Sequence, residues 1–161
     1  MILLLLAALV IPNIIGESKD RKVRLFKLDM KTLVEQARGE SIRTGHTFGL
    51  TFDKAKSALS VVDEAPDDAQ QPKIELPPLA VPTEVEAKKF NADQDESPSD
   101  GWRIPFFPDG TTAGGGIEFA YAGQPFSLTV SRGDVNVQVV DGPMPDLSLE
   151  KWKAGSFTPR G

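Results

Sequence analysis

The sequence predicts an α+β fold, in which one long N-terminal helix packs on an antiparallel β-sheet or β-sandwich head. Apolar residues recur at helical spacings up to residue 45, and from there the period switches to two. Glycine, proline and aspartate separate the later apolar runs, as turns between strands require. Because the helix pattern precedes all the strand patterns, we expect the helix to cover one face of the sheet. The length of 161 residues fits one domain with an appended helix.

The first element is an apolar run at residues 2–15, in a stretch that carries no charge from Met1 to Gly16. A helix that crosses the bilayer core needs about 20 apolar residues, so the run falls short of a span. It also lacks the basic start of a secretory signal peptide. We interpret it as the end of a hydrophobic helix in a membrane or an assembly core, with a buried core helix as the alternative. The residues assigned to this membrane or assembly helix are Leu3, Leu4, Leu5, Leu6, Leu9, Val10, Ile11, Pro12, Ile14 and Ile15.

Residues 17–45 continue the helix in amphipathic form, and Thr44 with Gly45 supplies its C-terminal stop. The two parts make one helix of about 40 residues, or ~60 Å, which Pro12 should bend because proline removes a backbone donor. We assign residues 1–45 to this helix and residues 46–161 to a β-rich head. The predicted buried stripe consists of Val23, Phe26, Met30, Leu33, Val34, Ala37 and Ile42.

The head is predicted to contain a series of short strands joined by turns. Residues 126–139 form the clearest hairpin pattern, with Gly133 in its turn. The tail from Gly142 is rich in proline and is expected to pack without regular structure. The predicted strands are residues 48–52, 59–62, 102–107, 116–121, 126–131 and 135–140.

An acidic, proline-rich insertion occupies residues 63–100, with eleven acidic and three basic residues. We expect extended loops there, with short edge strands at 74–76 and 85–90. The clustered carboxylates could suggest calcium, but no glycine or helix–loop–helix spacing accompanies them. We therefore interpret them as solvated loop residues, and they are Asp63, Glu64, Asp67, Asp68, Asp93, Asp95, Glu96 and Asp100.

Composition argues against most catalytic chemistry. The chain has no cysteine and a single histidine, His46, which lies between the helix and the first strand and is interpreted as structural. The glycine run at 113–116 precedes a strand pattern, so we interpret it as a hairpin loop rather than a phosphate cradle. A carboxylate pair for glycoside hydrolysis stays open, since separation in space is not visible in sequence. We predict no enzyme, no cofactor and no metal.

Nucleic acid is not an expected partner either. The net charge of −5 has the wrong sign for a protein that holds a phosphate backbone. Residues 19–31 form the one candidate basic patch, and beside a hydrophobic segment such a patch more often lies near lipid headgroups or packed subunits.

Three stretches resemble the type IV pilin-like proteins, and within them the GspH/FimT family of minor pseudopilins and their pilus relatives. Residues 3–13 resemble the second half of the pilin helix with its proline. Residues 35–45, followed by 48–53, resemble the family's AR-x-EA-I-x-x-G helix exit and first strand. Residues 106–115 resemble its F-x-P-D-G loop, and 128–135 its closing hairpin. The structural motif residues are Ala37, Arg38, Glu40, Ile42, Gly45, Phe107, Pro108, Asp109, Gly110 and Gly115.

The resemblance implies a minor pseudopilin of a type II secretion system, at the pseudopilus tip, which helps to initiate assembly for protein export across the outer membrane. It implies a single-pass protein of the bacterial inner membrane with a periplasmic head and a methylated N-terminus. The implied partners are other minor and major pseudopilins, the inner membrane and a prepilin peptidase. A type IV minor pilin in pilus assembly or DNA uptake is the alternative, and an anchored periplasmic enzyme or ligand-binding domain is a third.

The N-terminus departs from the family pattern. Family precursors open with a basic leader, a peptidase site after glycine and a Phe-Thr-Leu-Ile-Glu start, and none of these is in the sequence. Aligned on Pro12, the sequence starts about ten residues late, so we expect that the leader and first helix residues are missing. The basic residues that follow the apolar run also oppose the positive-inside rule for a periplasmic head, which a basic leader would offset.

Overall fold

The computed structural model describes residues 2–66, 72–93, 95–132 and 136–147, with the side chains of the N-terminal helix described from Gly16 onward. One helix precedes all the strands, as the sequence predicts for an α+β fold. The helix is α1 (Ile2–Thr44), and the described strands are β1 (Phe48–Asp53), β2 (Ala58–Asp63), β3 (Leu79–Ala80), β4 (Val85–Ala92), β5 (Asp95–Ser97), β6 (Arg103–Phe106), β7 (Gly115–Tyr121), β8 (Gln124–Val130) and β9 (Val137–Asp141).

The helix α1 is continuous over 43 residues, so the apolar run and the amphipathic part form one element as predicted. It ends at Thr44 and is followed by Gly45, whose φ of 76° is left-handed and whose N–H donates to the Ser41 carbonyl at 3.0 Å. A bend at Pro12 stays a prediction. The predicted stripe is buried from Val23 to Ala37, but Ile42 is 53% exposed, because at that turn the helix lies over a loop instead of a sheet.

Two antiparallel sheets share one hydrophobic core. The first has the order β3-β2-β1-β6, and the second has the order β5-β4-β7-β8-β9. The helix contacts β1, β3 and β6 of the first sheet and β9 of the second. The predicted packing of the helix on an antiparallel head is confirmed, and the buried stripe is shared between the two sheets.

Aromatic rings join the helix to one sheet and the sheets to each other. Phe26 of α1 meets Phe119 of β7 edge-on, with centroids 5.4 Å apart, and Phe119 stacks on Phe126 of β8. Phe90 of β4 contacts Phe52 of β1 at 5.3 Å and Trp102, before β6, at 5.6 Å. The contact of Phe26 with Phe119 fixes the helix on the second sheet. The contacts of Phe90 with the other two rings connect the two sheets.

The insertion at 63–100 is more ordered than the sequence indicated. The predicted strand at 85–90 is β4, which pairs with β7 along its length and with β5 over Phe90–Ala92, so it is not a simple edge strand. The predicted strand at 74–76 was wrong, because the N–H of Ile74 donates to the Asp63 carboxylate instead of a neighbouring strand. The next described strand is β3, which follows Pro77 and Pro78 and pairs with β2.

The remaining strands lie within a few residues of their predicted bounds. The predicted hairpin is confirmed by the antiparallel pairing of β8 with β9, while its turn at 133–135 lies outside the described residues. Residues 142–147 contain no strand, as predicted, and the rest of the tail lies outside the described residues.

We predict that Phe26→Ala lowers the free energy of unfolding by about 3–5 kcal/mol, since it removes a buried ring that packs edge-on against Phe119 and Phe126. Leu25→Ala is the control on the same helix, because its side chain is half exposed and should change that energy by less than about 0.5 kcal/mol. Urea unfolding followed by tryptophan fluorescence measures both. Equal effects of the two substitutions would contradict the described docking of the helix.

Candidate functional site

The two most specific family-like stretches meet in space, although they are far apart in sequence. Arg38 Nε donates to the Gly110 carbonyl at 3.2 Å. The Ser41 hydroxyl lies 2.7 Å from the Arg38 carbonyl and 3.1 Å from the Phe107 carbonyl, so it bridges helix and loop. Ile42 lies over Gly110, where an added Cβ would come within 3.3 Å of its Cδ1. We call this contact of residues 37–45 with residues 106–112 the helix–loop junction.

The loop side of the junction is a tight turn held by its own backbone. The Gly110 N–H donates to the Phe107 carbonyl, and the Phe107 N–H donates to the Thr111 carbonyl, each at 2.9 Å. Pro108 follows the first turn residue, and Gly110 has a φ of 83° that favours glycine. The Asp109 carboxylate accepts hydrogen bonds from the hydroxyl and the N–H of Thr111. These bonds lower the pKa of Asp109, and the hydroxyl has the larger effect.

The glycines after this turn permit close backbone approach. Gly115 opens β7 with a φ of 149°, and an added Cβ would lie 2.5 Å from the Asn91 carbonyl of β4 and 3.0 Å from Ile104 of β6. Gly115 thus lies where the two sheets come together. The glycine run leads into a strand and not a helix, as predicted for a loop without a phosphate cradle.

The other predicted site residues are structural or lie in the N-terminal part of α1. Ala37 is fully buried in the core, and Glu40 accepts hydrogen bonds from Arg43 one turn later. The backbone of the predicted membrane or assembly residues, Leu3 to Ile15, is helical, and their side chains lie outside the described ones.

Asp63 forms a buried centre that the sequence analysis missed. Its carboxylate accepts the N–H groups of Ala65 at 3.0 Å and Ile74 at 2.9 Å, and His46 Nδ1 donates to it at 3.0 Å. Burial raises the pKa of Asp63, but the hydrogen bonds from Ile74, Ala65 and His46 outweigh it, so the pKa lies below its ordinary value. His46 is thus structural, and the prediction of Asp63 as a solvated residue was wrong.

Glu64 is also engaged, since both its carboxylate oxygens accept from the guanidinium of Arg103 in β6. Glu64 is nevertheless exposed and lies in a loop after β2, as predicted. The contact of Asp63 with His46 could have been predicted from the β1–β2 hairpin. Its register sets Asp63 opposite Phe48, two residues after His46. No such signal marks Arg103, which reaches Glu64 only through the pairing of β6 with β1.

Residues 19–31 of α1 have a largely charged outer surface, and Lys27 and Asp20 within it also contact the head. Lys27 pairs with Asp141 at 2.6 Å and lies over the Phe126 ring at 4.5 Å. The Tyr121 hydroxyl donates to Asp20 at 2.6 Å, which raises the pKa of Tyr121. Leu25 and Leu28 are 50% and 59% exposed on this helix. The exposed basic residues of the same segment are Lys19, Arg21, Lys22, Arg24 and Lys31.

Within the described ranges, no three histidine or carboxylate side chains come together as a metal site. The predicted solvated carboxylates Asp93, Asp95 and Glu96 lie at the β4–β5 turn, where Arg132 is 3.8 Å from Asp93. Asp67 and Asp68 lie outside the described residues.

Comparison with known proteins identifies one family. The model of the family described as type II transport protein GspH matches residues 29–138, which include both sides of the helix–loop junction. No curated protein matches the chain significantly.

Solved structures share the fold at low sequence identity. Two structures of the minor pseudopilin EpsH from the type II secretion system of Vibrio cholerae match with TM-scores of 0.55 and 0.56, at 9% and 10% identity. Each match covers 73% of this chain, and 95% and 94% of the respective EpsH chains. The type IV minor pilin FimU of Pseudomonas aeruginosa matches at 13% identity over 75% of this chain and 91% of its own, with a TM-score of 0.48. At 9% and 10% identity, the likeness to EpsH concerns the fold alone.

We predict that Gly115→Ala destabilises the protein by about 2–4 kcal/mol, because its Cβ would meet the Asn91 carbonyl at a φ that strains any side chain. Gly39→Ala is the matched control, since Gly39 lies in α1 with open space around it. Alanine should raise the free energy of unfolding there by about 0.5–1 kcal/mol, because it favours the helix more than glycine does. Thermal unfolding of the two variants measures the difference. A Gly115→Ala protein as stable as wild type would contradict the described approach of the sheets.

Asp63 should make stability depend on pH. Its folded pKa lies below the unfolded value of about 3.8, so its contribution is present above that value and is lost as the pH falls through the folded pKa. We expect Asp63→Asn to be less stable than wild type at pH 7, with the difference shrinking below about pH 4. Urea midpoints between pH 2 and pH 7 measure this, and a difference independent of pH would contradict the assignment.

Proposed function

We propose, because the chain belongs to the GspH family of type II transport proteins, that it is a minor pseudopilin at the tip of a type II secretion pseudopilus. There it would help to initiate assembly for protein export across the outer membrane. The family consists of structural subunits of a transport machine, so the chain is not an enzyme. Its proposed partners are the other minor and major pseudopilins.

The observation that carries this proposal is that α1 has two different parts. Its N-terminal part is apolar, and its later part is amphipathic and packs on the head. The helix extends from Ile2, and among the side chains described from Gly16 onward its buried stripe begins at Val23. That leaves ~30 Å of helix before the stripe. Its first part is the apolar run, and a helix that is apolar on all faces is stable in lipid or among neighbouring helices. Such a segment on a folded head suits a subunit that passes from membrane to filament.

The membrane location is part of the proposal. Taking only the described part of the chain, no helix combines the length and apolarity that crossing a membrane requires. The proposed site in the inner membrane, with a periplasmic head and processing by a prepilin peptidase, rests on family membership and on the sequence of residues 2–15.

Exposed leucines on the docked half of the helix support packing against other subunits. Leu25 and Leu28 point away from the buried stripe, among charged neighbours. In a filament they would lie where neighbouring helices approach. Pro12 and Gly16 would let the N-terminal part adjust between lipid and filament.

The alternative is a type IV minor pilin in pilus assembly or DNA uptake. The exposed cations from Lys19 to Lys31 are the observation in its favour, and the net charge of −5 opposes it. A salt-dependent gel shift of DNA at modest ionic strength would favour the alternative. Absence of a shift at low salt would leave secretion as the better account.

We predict that Leu9→Lys removes the protein from the pseudopilus and abolishes secretion, because a charge in the apolar run is costly in lipid and among packed helices. Val62→Lys is the matched control, since Val62 is 48% exposed on β2 of the head. Chromosomal replacement, followed by secretion assays and blotting of sheared filaments, measures both. Normal secretion by the Leu9→Lys strain would count against the proposal.

A further inference from the structure

A groove of about 700 Å³ runs between α1 and the last strand of the second sheet. On the helix side it is lined by Arg24, Lys27, Leu28 and Lys31, which recur at the spacing of one helix face. On the other side lie residues 136–141, which include all of β9. We call this the β9 groove.

The strand that lines the groove has an open edge. β9 is the last strand in the order of its sheet, with β8 as its only partner among the described residues. The Gly142 N–H donates to the Pro125 carbonyl, and the Ser131 N–H donates to the Asn136 carbonyl. The even-numbered residues of β9 therefore form the hydrogen-bonded pairs with β8. Because these pairs alternate, the N–H and C=O groups of Val137, Val139 and Asp141 point to the open edge.

The groove is also cationic. Of its three basic side chains, Lys27 is engaged by Asp141 and by the Phe126 ring. Arg24 and Lys31 are exposed and form no ion pair with any residue in the described ranges. Leu28, at 59% exposure, adds an apolar contact between them. The open edge therefore lies beside two available positive charges.

We infer that the β9 groove binds an extended acidic segment of a partner protein, which adds a strand to the open edge of β9. Backbone groups of the segment would pair with Val137, Val139 and Asp141, which is the common mode of strand addition. Its carboxylates would meet Arg24 and Lys31, which select acidic over basic segments. The inference rests on β9 and on the part of α1 that is docked on the head, and it does not rest on the proposed function.

Charge argues against the chain's own C-terminal tail as the occupant. Residues 148–161 contain Lys151, Lys153 and Arg160 with a single acid, Glu150. This segment has the same sign as the groove, so it would be repelled by Arg24 and Lys31. An acidic segment from another protein has the complementary sign.

The test uses the full ¹⁵N-labelled chain, dissolved in a nonionic detergent, and two synthetic peptides. One peptide alternates valine with glutamate, and the control alternates valine with lysine. We expect the acidic peptide to shift the amide signals of Val137, Val139 and Asp141, and to bind at least about tenfold more tightly than the basic one. Binding should weaken with added salt.

Three variants locate the contact. Arg24→Glu should weaken binding of the acidic peptide about tenfold, whereas Lys54→Glu, the same change at an exposed turn, should not. Val139→Pro should abolish binding, because it removes an N–H from the open edge and leaves the β8 ladder intact. The charge variants keep the test valid if the proline variant does not fold.

Equal binding of both peptides, or an equal effect of Lys54→Glu and Arg24→Glu, would overturn the inference. Shifts of these amides by phosphatidylglycerol vesicles but not by the acidic peptide would also overturn it, and would assign the cations to lipid.

Discussion

The rest of the structure depends on the docking of one helix stripe, Val23 to Ala37, on both sheets. Phe26 fits against the Phe119–Phe126 pair of the second sheet, while the same helix contacts β1 and β6 of the first. Because Met30, Val34 and Ala37 are fully buried, the sheets would expose a large apolar surface without this stripe. The helix is therefore part of the core of the head, and the N-terminal half extends from an element that the head cannot release without unfolding.

The helix–loop junction follows from that docking. Once the stripe fixes the axis of α1, its last turns bring Arg38 and Ser41 to the carbonyls of Gly110 and Phe107. The turn at residues 107–110 and Gly115 then set where β7 begins and where the sheets approach each other. The family-like residues thus hold the helix exit on the head. For a subunit proposed to work by assembly, a rigid link between helix and head is the property that function requires.

Sequence periodicity predicted the elements, but it could not predict their long-range partners. The helix and most strands were predictable because their apolar patterns and turn residues are local. The helix–loop junction was predictable only as two separate motifs, since the bond from Arg38 to Gly110 joins residues that are 72 positions apart. Asp63 was misjudged because a cluster of acidic residues usually indicates solvent, and only the register of β1 with β2 brings it to His46. The β9 groove was not predictable, because it exists only between a helix and a strand at opposite ends of the chain.

Amide hydrogen exchange of the full chain tests most directly whether the helix stripe belongs to the core of the head. If it does, the amides from Phe26 to Ala37 should open with the same free energy as the central strands β7 and β8, because neither can open without the other. Phe26→Ala should then lower that energy equally at all these amides. Helix amides that exchange at a clearly lower free energy than the strands would contradict the account, since the helix could then leave a head that stays folded.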